Sequence, residues 1–202
     1  MTSNVIAVVF ALAYYAVTIW LCRGVRLDVR SLSFAAVIIA LTLVLSSIMI
    51  PLPTGAAITA GSWIPLMVLA LVYDFRLAFI AGWICGGLAL FMVPAWQPVH
   101  WGQVFVEHFV CFSCLGYAGV FGNEKRWQML LGIVTAVVIK FFGHVISGVI
   151  FFSNNAWDGW GAWAYSLAYH VSSKIPEGII TAIIVMLLPL ASFRKLVSGR
   201  RS

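Results

Sequence analysis

Charge is nearly absent from long stretches of this chain, and that constrains its fold more than any motif does. Seven apolar stretches, at about 4–22, 33–50, 57–73, 77–93, 104–122, 128–152 and 174–192, are separated by short connectors that hold charge or Pro and Gly. A membrane-spanning helix takes about 20 mostly apolar residues, and in hydrocarbon only a helix or a closed barrel satisfies its own backbone. The pattern predicts an all-α integral membrane protein, and 202 residues leave no room for a soluble catalytic domain beside the spans. The first stretch, near Val5 to Trp20, has no basic residue ahead of it and no small-residue cleavage site behind it. It reads as a retained span and not as a signal peptide.

The net charge of +6 is distributed by topology. Arg23, Arg26 and Arg30 occupy the first connector, Arg76 the third, Lys125 and Arg126 the fifth, and Arg194, Lys195, Arg200 and Arg201 the tail; the connectors at 51–55, 94–103 and 153–173 have no Lys or Arg. By the positive-inside rule the basic connectors are cytoplasmic. That predicts a multi-pass protein of the cell membrane with its N-terminus outside and its C-terminus inside, and only Lys174, at the edge of the last stretch, departs from the alternation. No basic stripe interleaved with aromatics is present, so nucleic acid is not an expected partner; membrane lipids are.

The uncharged connectors are rich in aromatic and polar groups: Trp96, His100 and Trp101 in one, Asn154, Asn155, Trp157, Asp158, Trp160, Trp163 and Tyr165 in another. A headgroup belt explains some of the tryptophans. The glycines and polar residues among Trp157 to Tyr165 suit a folded loop over the bundle, a lid or pocket wall. Cys111 and Cys114 form a C-x-x-C inside an apolar stretch with no second pair to complete a metal site; they read as small packing residues.

Ionisable groups at membrane depth cost about 2.5–3.5 kcal/mol each on insertion scales, so each marks a functional candidate. Glu107, Lys140, His144 and Glu177 stand out. Glu107 and Glu177 lie a few residues inside the uncharged ends of their stretches, and His144 lies about 12 Å below such an end at 1.5 Å per residue. These three converge on an outward-facing polar pocket. Lys140, spaced i, i+4 from His144, serves either as an internal ion pair or as a ligand contact. Glu177, after Pro176, is either a pocket residue or an N-terminal charge that complements a helix dipole. Glu107 has no Lys or Arg near it in sequence, and on an α-helix His108 cannot face the same way. A carboxylate in a partly dry, aromatic pocket attracts an organic cation; a satisfied buried carboxylate is the competing reading.

Residues 130–183 carry a long pattern: Lys140 and His144, Gly148, Phe151, Ala156-Trp157-x-Gly159-Trp160-Gly161, Tyr165-Ser166 and Pro176-Glu177. It resembles the second half of the thiamin-specific S-component of energy-coupling factor transporters. The resemblance implies a six-helix substrate-binding domain over 32–202, with residues 1–31 supplying an additional N-terminal transmembrane helix and basic connector. It implies thiamin as ligand, Glu107, His144 and Tyr165 as pocket residues, and delivery through a transmembrane coupling protein and two ATPase subunits. ATP is then used by those partners, and no cofactor is expected on this chain. Ala36 and Ala40 match the small-residue surface by which that family's first helix meets the coupling protein. The sequence departs from the family where Phe152 replaces Trp, His170 replaces Asn and His108 replaces Tyr, and where the family's Trp in the first outer connector falls near Ala56. Together with Trp157 and Trp160 of the proposed lid, His108, Phe152 and His170 complete the candidate substrate-binding set.

The expected function is a vitamin-binding subunit that is not an enzyme; no G-x-x-x-x-G-K-[ST] phosphate loop occurs. The alternatives are an intramembrane histidine-rich haem or redox protein using His100, His108, His144 and His170, or an autonomous secondary transporter, which would show repeats or paired broken helices.

Overall fold

The second and fourth apolar stretches become helices behind an aspartate that closes the first turn. The computed structural model describes residues 2–25, 27–93 and 96–198, so Arg26, Pro94, Arg200 and Arg201 of the connector reading lie outside the described residues. After α1 (Thr2–Leu21), Asp28 opens α2 (Val29–Ser47). Its carboxylate accepts from Ser31 N at 2.7 Å, and the Asp28 N–H donates to Ser31 Oγ at 3.0 Å, a reciprocal cap that satisfies donors the helix cannot.

The third apolar stretch does not form the expected span. It supplies one strand of an antiparallel hairpin, β1 (Met49–Pro51) with β2 (Ala57–Thr59), and then a nine-residue helix, α3 (Ile64–Val72). Inside the stretch Gly61 turns with φ of 84° and Pro65 lies in the first turn of α3, so the segment bends where hydropathy alone reads straight through. Nine residues rise about 14 Å, half of a bilayer core. Such backbone is tolerated at depth where protein covers it, and Leu66, Met67 and Leu71 of α3 are fully buried.

Asp74 caps α4 (Phe75–Met92) by accepting from Arg76 N at 2.8 Å. The next helix, α5, covers 101–119 but changes winding three times: a turn at Trp101–Gln103, a π turn at Val104–Phe109, an α turn at Val110–Ser113 and a 3-10 end at Cys114–Gly119. Then follow α6 (Arg126–Phe151), a short 3-10 turn at Ser153–Asn155, α7 (Ala162–Leu187) and α8 (Leu190–Ser198). The last span thus begins at Ala162 rather than near 174, the loop expected over 153–173 is confined to 152–161, and Pro176 lies inside α7 instead of at its start. Helices α1, α2, α4, α6 and α7 are long and apolar enough to cross a membrane. Apart from the small hairpin the protein is a helical membrane protein, with α2 to α7 as six bundle helices and α1 added to them.

Helix α6 packs along α7 and against the end of α5, while α4 packs on α2, α3 and α5. Gly86 makes the α4–α5 approach possible, because a methyl group there would lie 2.6 Å from His108 O. At the end that holds the basic connectors, Arg76 Nε donates to Leu21 O at 3.2 Å, Arg30 to Val197 O at 3.1 Å, and Arg194 to Asn123 O. The hairpin and the connectors around 96–101 and 152–161 lie at the other end, beside the site.

Candidate functional site

A cavity of about 410 Å³ opens between the hairpin, Trp63, α5, α6 and α7, within the size range of small-molecule sites. Glu107 enters it from the π turn of α5 with three donors around its carboxylate. His144 Nδ1 lies 3.1 Å from Oε1, and Ser147 Oγ and Gln103 Nε2 donate to Oε2 at 2.6 and 2.7 Å. The helices set these spacings: Gln103 is one turn before Glu107, and His144 and Ser147 share a face of α6 at i, i+3. The carboxylate is oriented but not closed off, since it still lines the cavity.

His108 lines the same cavity, against the expectation from α periodicity. The reason is the π turn, whose i→i+5 winding places neighbouring residues at smaller angular steps. His108 Nε2 lies 2.9 Å from Trp96 O; a carbonyl only accepts, so Nε2 carries a proton, and in the neutral ring Nδ1 is left as a bare acceptor. That Nδ1 and the Nδ1 of His170 have no partner among the described residues. The His144 and His170 rings stack at 5.5 Å and 26°. His100 accepts from Gly102 N at 2.9 Å and stacks on Phe151, acting as the cap of α5.

Lys140 lines the cavity but does not form the expected internal ion pair among the described residues. Its Nζ donates to Cys111 O at 2.6 Å and lies over the Trp63 and Phe112 rings at 4.9 and 5.1 Å, so a carbonyl and two π faces replace the carboxylate it was expected to find. Glu177 is buried in mid-helix and holds the hairpin: it accepts from Thr59 N at 2.9 Å and from Thr59 Oγ1, with Lys174 Nζ at 3.5 Å from its other oxygen. The helix-start reading is therefore corrected, because Pro176 interrupts α7 without beginning it.

Tyr165, Phe152 and His170 line the cavity, whereas Trp157 and Trp160 do not. Trp157 meets the Tyr165 ring edge-on at 5.2 Å and Trp160 packs behind it, so the tryptophan loop buttresses a cavity wall from outside. Ala56 is buried in the hairpin turn, and the indole near it in sequence is Trp63, buried at the cavity. Gln103, Ser147 and Trp63 were not among the expected site residues. Serine at i+3 from His144 and glutamine at i−4 from Glu107 were the available signals.

Against known families, a model described as Thiamine transporter protein (Thia_YuaJ) matches residues 32–197. The chain belongs to this family. Among relatives, a Bacillus subtilis (strain 168) protein named Thiamine transporter ThiT is 27% identical over 188 residues, covering 86% of this chain and 94% of the relative. A protein of the same name from Lacticaseibacillus paracasei (strain ATCC 334) is 28% identical over 155 residues, covering 69% and 77%. The solved structure of ThiT from Listeria monocytogenes superposes with a TM-score of 0.72 at 26% identity, covering 82% of this chain and 96% of that one. The resemblance carried by 130–183 thus extends over most of the sequence, and α1 precedes the matched residues.

Proposed function

We propose that this chain is a membrane-embedded binding subunit that captures thiamin, or a thiamin-like cation or precursor, for uptake. The observation that carries the reading is the Glu107 carboxylate, fixed by His144, Ser147 and Gln103 in an aromatic-lined cavity of a chain whose relatives are named thiamine transporters. Thiamin joins a permanently cationic thiazolium to an aminopyrimidine. The carboxylate attracts the first, the Tyr165 and Phe152 rings offer stacking faces, and the bare Nδ1 of His108 suits an amino donor.

Binding of this kind needs no chemistry from the chain. Delivery would follow from association with a transmembrane coupling protein and two ATPases that consume the ATP. Ala36 and Ala40 support that reading, being exposed on α2 while α1 packs on α5 and α6 and leaves them open. The basic connectors gather at the end opposite the cavity, which by the positive-inside rule turns the cavity outward, with the N-terminus outside and the C-terminus cytoplasmic. A screen of the purified protein against thiamin, its pyrimidine and thiazole halves and other B vitamins, read by quenching of Trp63 and Trp96, tests this. Thiamin is expected to bind tightest, with both halves weaker. A saturable response to another vitamin and none to thiamin would contradict the assignment.

A further inference from the structure

The added helix α1 touches the site's framework at three levels. Ala7 packs against Val106 and Ile146, joining α1 to the π turn and to α6. Tyr15 Oη donates to Phe105 O, within the π turn, at 2.7 Å. Tyr14 Oη lies 2.6 Å from Ser113 Oγ, and because Ser113 spends its single proton on Phe109 O at 2.5 Å, Tyr14 is the donor. Gly86 of α4 also approaches the turn, where an added methyl group would lie 2.6 Å from His108 O. The π turn that carries Glu107 and His108 is therefore held both by α4 and by a helix that lies ahead of the residues the family model matches.

A π turn is one residue out of register with an α-helix and persists only where its surroundings favour it. Reversion to α winding would swing Glu107 and His108 relative to His144 and Ser147. We propose that α1 is a positioning element of the binding site, with Tyr15 and Tyr14 holding the π turn that presents Glu107. This rests on the thiamin reading for its affinity readout but not for its structural one.

The experiment uses the full chain carrying Tyr15→Phe, alone and with Glu107→Gln, and Tyr14→Phe as a second variant read the same way. Thiamin affinity should fall about three- to tenfold in Tyr15→Phe, the factor set by one net hydrogen bond, and the loss should vanish when Glu107 is already Gln, since coupled residues are not additive. Amide hydrogen exchange across 104–113 in the ligand-free protein should quicken in Tyr15→Phe. An equal loss of affinity in both backgrounds would overturn the positioning role in favour of general destabilisation, and unchanged affinity with unchanged exchange would overturn it outright. A wild-type chain that binds no thiamin would sink the ligand assignment, leaving the exchange measurement to decide for α1.

Discussion

Glu107 keeps one negative charge at the cavity when His144 is neutral, because Nδ1–H then donates to the carboxylate without cancelling it. A cationic ligand completes that balance. Lys140 lines the same cavity, yet its charge is spread onto Cys111 O and two rings, which separates it from the carboxylate's role. On the proposed reading, His108 and His170 both offer the pyrimidine an Nδ1 that has no partner among the described residues, and His108 is the one beside Glu107 on the π turn. His108→Phe removes the bare acceptor and leaves Trp96 O without its donor. Affinity should fall by about 1–3 kcal/mol for thiamin and the pyrimidine half and far less for the thiazole half; equal losses for both halves, measured by titration, would remove His108 from pyrimidine recognition. At this scale the sequence exposed Glu107, Lys140 and His144 because ionisable groups are conspicuous in apolar runs. Gln103, Ser147 and Trp63 were hidden because neutral polar residues and indoles are ordinary in spans, and only the fold brings them to the carboxylate.

Among the elements, α7 and the hairpin are where the reading of the sequence went astray. Hydropathy marks 162–173 as a loop, but Ser166, His170, Ser173, Glu177 and Thr181 are all buried on one face at steps of four, three, four and four, the period of a helix with a polar inner stripe. The hairpin was missed because its strands are three residues each, too short for alternation to show. It is pinned to α7 by Tyr169 Oη to Gly55 O at 3.1 Å, by Thr54 and Ser172 hydroxyls at 3.0 Å, and by Glu177 on Thr59. Glu177→Ala removes the deepest of these pins and strands the Lys174 ammonium. It should cost about 3 kcal/mol of stability, seen as a lowered thermal midpoint in detergent, and weaken thiamin binding through the loosened wall. A midpoint equal to wild type would mean the hairpin is held without it. Gly86→Val should likewise weaken binding, since its side chain meets the backbone of the π turn at His108; retained affinity would show that α4 does not set the turn.

For the whole molecule, the division between a basic end and a cavity end was legible from the connectors alone, because charge cannot be hidden in the bilayer. The irregular interior of α5 was not, since a π turn leaves no compositional mark. On the proposed reading, the cavity serves binding and the exposed face of α2 serves delivery. Trp at both Ala36 and Ala40 should leave thiamin affinity unchanged, because those positions are exposed on α2 away from the cavity, while abolishing ATP-driven uptake in vesicles that contain the coupling protein and ATPases. Undiminished uptake would place the coupling surface elsewhere. The central claim is that Glu107 recognises a cation in this cavity, and calorimetric titration of wild type and Glu107→Gln with thiamin tests it most directly. Saturable binding by wild type with a loss of more than about tenfold in the variant is the expected result, and equal affinity in the two proteins would contradict it.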